Sequence, residues 1–156
     1  MKYYAIYNKT NETLSKAQCK CLNSDCVNIE VSKDVYDNLD YYIYDNGAIV
    51  ENPNYEQEQE QKEKERIAML SLTRGNVFRG LLQAKGVTRA QLRAMIETNE
   101  ALTEIQKEMA LIDFDEALNF YRGNALIDTV GLALGITSEQ LDKFFEFNDY
   151  NYLIEV

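Results

Sequence analysis

Apolar and polar positions change rhythm twice along this chain. Through residues 1–53 the rhythm is strand-like. Lys2 to Tyr7 is a run dense in tyrosine, followed by the polar turn Asn8-Lys9-Thr10-Asn11-Glu12. Cys26-Val27-Asn28-Ile29-Glu30-Val31 alternates, as a half-buried strand does. Ser32 is placed to cap a short helix running through Val35, Tyr36 and Leu39. Tyr41–Tyr44 and Ala48–Val50 flank Asp45-Asn46-Gly47, and Asn-Gly between strand-like runs predicts a hairpin on a type I′ turn. Pro53, the single proline, closes this β-rich unit.

Residues 54–71 read as a charged linker helix. Glu58–Lys62 and Glu60–Lys64 are spaced i,i+4 in the favourable order, and no apolar stripe recurs until Ile67, Met69, Leu70 and Leu72. From Leu72 to residue 156 the pattern is helical throughout. Val77, Phe78, Leu81, Leu82 and Ala84 form a stripe that ends at Gly86, and Thr88 with Gln91 spells a capping box for the next helix. The logic returns 49 residues later. Gly86-Val87-Thr88-Arg89-Ala90-Gln91-Leu92 recurs as Gly135-Ile136-Thr137-Ser138-Glu139-Gln140-Leu141, and an Arg-Gly-Asn triplet precedes each copy. The repeats cover about residues 74–99 and 122–148. Between them a long helix is expected from about Thr103 to Tyr121, apolar over most of one side and central to both repeats. The segment Asn148–Ile154 reads as a partner-binding tail or a closing strand. The fold class is therefore α+β: a small β-rich unit, a spacer helix and an all-α domain built on a duplicated helix–turn–helix unit.

Charge separates the two copies. Residues 72–96 carry Arg74, Arg79, Lys85, Arg89 and Arg93 and no acid, whereas residues 97–156 carry 3 basic and 13 acidic side chains. The five basic residues form a candidate partner-binding face, with Arg89 and Arg93 one helical turn apart. The competing reading is internal balance, in which the basic repeat faces the acidic last sixty residues of its own or a neighbouring copy. A net charge of −10 disfavours nucleic acid as the partner.

Composition narrows the chemistry further. The chain has no histidine, which removes histidine-based nucleophile systems and the commonest metal ligand. Cys19, Cys21 and Cys26 crowd together as C-x-C-x4-C, a weak metal motif that lacks a fourth ligand and reads best as reduced thiols. Asp113, Asp115 and Glu116 cluster, but nothing else in the sequence converges on them, so a solvated or helix-contacting face is the better account. No apolar run reaches the roughly 18–20 residues of a membrane span. Nor does the N-terminus have the layout of a secretory signal. The expectation is a non-enzymatic intracellular protein, without cofactor, that binds another protein.

The order of motifs in the first part carries a resemblance. Met1-Lys2-Tyr3-Tyr4, then Val31 to Leu39, the hairpin around Asp45-Asn46-Gly47, and Glu51-Asn52-Pro53-Asn54-Tyr55 leading into a Glu/Gln/Lys helix span about 70 residues. This third resembles bacteriophage tail-fibre assembly and tail-module accessory proteins. The helical half departs from the second part of those chaperones and looks like a helical domain of prophage proteins. The resemblance implies binding to a fibre or other tail component during assembly, in the host cell or retained in the virion. A phage-encoded inhibitor of host defence, anti-CRISPR-like and acting by occluding an effector surface, fits the same features. A transcriptional accessory using the basic repeat is a third reading, and self-association is left open.

Overall fold

The computed structural model describes residues 1–154. It is an α+β protein with seven α-helices among the described residues and three small antiparallel sheets. The chain divides into two compact units, Met1–Glu60 and Gln61–Val156. The boundary falls inside the charged helix rather than at its start.

In the first unit β1 (Tyr3–Asn8) is the central strand, hydrogen-bonded to β2 (Thr13–Ala17) on one side and β3 (Cys26–Val31) on the other. Both pairings are antiparallel. Ser32 caps the short helix α1 (Lys33–Asp37), its Oγ accepting from the Val35 N–H at 3.2 Å. A 3-10 turn over Leu39–Tyr41 leads into β4 (Tyr42–Asp45) and β5 (Ala48–Glu51). The hairpin turns on Asn46 and Gly47 with φ of 46° and 94°, the positive pair that a type I′ turn requires. The buried apolar side chains of this unit are Tyr4, Ala5 and Leu39, so ring pairs carry much of its packing. Tyr7 stacks on Tyr44 at 4.0 Å and Tyr3 meets Tyr36 at 4.9 Å.

Helix α2 (Tyr55–Ala68) buries no residue, consistent with its unbroken polar sequence. Asn52, itself buried, prepares its start: its side-chain oxygen accepts from the Asn54 N–H at 3.0 Å and its amide donates to Glu58.

The second unit holds the repeat, and here the all-helical expectation fails at two places. Ser71–Thr73 and Asn119–Tyr121 are strands, β6 and β7, paired antiparallel with Leu72 opposite Phe120. The helix expected to reach Tyr121 ends at Glu116, because Ala117 turns to extended backbone (ψ 132°) and the chain enters the ribbon. Leu72 and Phe120 are the buried residues of their strands and lie 48 residues apart, the same offset as Arg74 and Arg122. The ribbon thus has the register that a symmetric dimer of one β-α-α unit would have.

The copies are α3 (Arg74–Lys85) with α4 (Arg89–Glu97), and α6 (Ala125–Ala133) with α7 (Ser138–Phe147). Gly86 and Gly135 sit at φ of 66° and 68°, the left-handed conformation that ends the first helix of each copy. Reciprocal capping boxes start the second helices at Thr88/Gln91 and Thr137/Gln140. A third, Thr103/Gln106, starts α5 (Glu104–Glu116). The Arg-Gly-Asn triplets diverge in conformation. Thr73 caps α3, so Arg74 is already helical, whereas Tyr121 stands at the matching place and offers no cap. Asn124 takes over, and α6 begins three residues later in its copy.

One hydrophobic core serves both copies. It includes Leu72, Leu92, Ile96, Phe120, Leu141, Phe144 and Phe145. The terminal segment forms a 3-10 turn, Tyr150–Leu153, in place of a closing strand, and plants Leu153 fully in this core.

Candidate interaction surface

The basic residues of the first copy are drawn together, but largely by the protein's own acid. Arg89 reaches Asp115 Oδ1 at 2.9 Å, and Arg93 bonds the other oxygen of the same carboxylate. Arg93 also pairs with Glu97 at 3.0 Å. Arg74 donates to the Asp115 main-chain carbonyl. The Arg89 guanidinium lies over the rings of Phe78 and Phe114, at 5.6 and 5.5 Å, so it also covers an edge of the core. Arg79 stands apart and donates to Asn76, while Lys85 occupies the last turn of α3 beside the carbonyl end of the helix. The five thus split into three that converge on residue 115 and two that do not.

This cluster makes a pH prediction. The Arg93 guanidinium, followed by that of Arg89, holds the Asp115 carboxyl below its ordinary value, and Asp115 in turn raises that of Arg93. A depressed folded value means that the stabilisation is present above the unfolded aspartate value, about 3.9, and is lost as pH falls through the folded one. Asp115→Asn should flatten part of the acid limb of a thermal-stability profile between neutral pH and about pH 3. An unchanged limb would show that the ion pairs do not form in solution.

The second copy solves the same site with opposite signs. Arg122 matches Arg74 and is 5% exposed. It bonds Asp142 at 2.6 Å, Asp128 at 2.7 Å and Ser138 Oγ at 2.6 Å. Asp142 and Ser138 occupy the places of Arg93 and Arg89.

Of the three thiols of the first unit, those of Cys21 and Cys26 lie close. Asn28 clamps the Cys21 backbone with two hydrogen bonds, of 2.6 and 2.9 Å. That holds Cys21 beside Cys26, whose thiol is pushed up by the hydrogen bond with Cys21. Cys19 is exposed, and among the described residues no three metal-ligating side chains converge.

A surface that the repeat pattern did not single out is the outer face of α5. Ile105, Met109 and Ile112, at i, i+4 and i+7, are 75%, 62% and 53% exposed. The opposite face buries Phe114 and half-buries Ala110 and Leu111 against the core. The helix is apolar on two sides, and α4 is the helix it packs on most closely, so it is not the central support expected of it. Beside it Leu102, Met109 and Thr129 line a groove against α6, and Leu102 and Thr129 continue it toward Leu132, which is 82% exposed. Apolar side chains spaced this way are normally covered.

The outward residues of the β6–β7 ribbon are Ser71, Thr73, Asn119 and Tyr121. None is cationic, so the ribbon does not supply the phosphate neutralisation on which nucleic-acid affinity rests. Among the described residues no helix is long and apolar enough to cross a membrane. No family model, curated protein or solved structure matches the chain.

Proposed function

We propose that this chain is a non-enzymatic protein-binding protein, acting as an accessory or chaperone in bacteriophage tail assembly. The observation that supports binding most directly is the uncovered apolar stripe Ile105–Met109–Ile112, with Leu132 exposed on the adjoining groove. Scattered exposed apolar residues need no explanation, but a contiguous row on one helix marks an interaction site. The tail setting rests on the resemblance of the N-terminal third. The absence of histidine agrees with a role that needs no general base.

The host-defence reading would use the basic face, where Arg89 and Arg93 already share Asp115. That leaves Arg79 and Lys85 as its anchors and makes it the second choice. The experiment is affinity purification of the tagged full chain from infected or lysogenic cells, with cross-linking and identification of the retained protein. A fibre or baseplate component supports the proposal. A host effector complex in its place, lost on charge reversal of Arg79 and Lys85, overturns it.

A further inference from the structure

We infer that the groove between α5 and α6 receives the apolar face of an amphipathic helix whose flanks are basic. This rests on the protein-binding reading and specifies its partner chemistry. Two features carry it. The groove is lined by five large apolar side chains, Met95, Leu102, Met109, Leu126 and Leu132. Its charged lining is entirely acidic: Glu100 and Asp113 stand in the walls, and no lysine or arginine lines either part.

Helical position places Glu116 in line with the exposed α5 stripe and Glu108 on its flank away from Asp113, and both are exposed. The cation on this helix, Lys107, is turned inward and tied to Glu104 at 2.9 Å. An apolar trough with one sign of charge on its rim selects an occupant of opposite rim charge. A helix laid in a groove presents anchors at i, i+3, i+4 and i+7, the spacing that the α5 stripe itself displays. A second copy of this chain fits poorly, because two acidic rims would face each other in a molecule of net charge −10.

The probe is a designed amphipathic peptide of about five helical turns, roughly 18 residues, with leucine anchors and lysine flanks. Two controls replace every lysine by glutamate or every leucine by alanine. Titration calorimetry with the full chain should give binding for the lysine–leucine peptide that is tighter by about tenfold or more than for either control. Met109→Asn and Leu132→Asn, both exposed and neutral, should each weaken it several-fold, while Met69→Asn leaves it unchanged. Amide shifts should concentrate in residues 98–113 and 124–133.

Equal binding of the glutamate peptide, or binding indifferent to Met109→Asn and Leu132→Asn, overturns the inference. So does concentration-dependent dimerisation abolished by Met109→Asn, which would make a second copy the occupant. A tail component captured equally well by the Met109→Asn chain overturns the groove and leaves the assembly role standing. Peptide binding as expected, with no tail component captured, does the reverse.

Discussion

Replacing Phe144 by alanine is expected to destabilise the helical unit by about 3–5 kcal/mol. The ring is 2% exposed and lies among side chains from both copies, so its loss leaves a cavity that neighbours cannot readily fill. A more discriminating test uses the residue beneath it. A Cβ built on Gly80 would stand 2.5 Å from Phe144 Cζ and 2.7 Å from Cε2, inside any permitted contact. Gly80 is thus the space into which the ring fits. Gly80→Ala should cost about 1–3 kcal/mol by overpacking, offset by about 1 kcal/mol of helix propensity. In a Phe144→Leu background the obstacle is gone, and the same substitution should become neutral or stabilising. Denaturant melts of the four proteins form a double-mutant cycle. A Gly80→Ala penalty of equal size in both backgrounds would refute the contact.

Features written in adjacent residues were legible. Capping boxes, the left-handed glycines and the Asn46-Gly47 turn are chemistry between positions no more than three apart, and each lies where the sequence puts it. The ribbon was not legible. Strands of three residues are too short for a period of two to register, and their partners lie 48 residues away. Without the ribbon, Asn119–Tyr121 merged with the helix before it.

Helix α5 misled in a second way. Periodicity reports that a helix is apolar but does not say which of two apolar sides meets the core. Phe114, Ala110 and Leu111 do, and the Ile105–Met109–Ile112 stripe faces outward. A signal for Arg122 was present, since an arginine heads both copies while Asp142 replaces Arg93. Its burial and three partners depend on how the helices close around it.

Arg122→Met should then be the costliest change at a charged position, about 3 kcal/mol. The substitution keeps much of the side-chain volume, so its effect measures the guanidinium. Asp142, partly buried, and Ser138 would lose their shared donor. Asp128 is more exposed and can rehydrate, which holds the cost toward the lower end of the range for broken buried pairs. Arg122→Met with Asp142→Leu should recover a good part of the loss, because the orphaned carboxylate is then removed as well. Arg74→Met is the matched control in the first copy. There the arginine donates to a main-chain carbonyl and is only half-buried, so its loss should cost less. The contrast gives the charge inversion between the copies an internal account. The second copy carries its own acids for a buried arginine, whereas the first carries arginines and borrows Asp115 from the end of α5. Thermal or denaturant melts at low and high salt decide it. The Arg122 penalty should persist in high salt, since buried pairs are weakly screened, while the contribution of the exposed Arg89–Asp115 pair should shrink. Equal penalties for Arg74→Met and Arg122→Met would mean that the two copies do not differ in how they hold their charge.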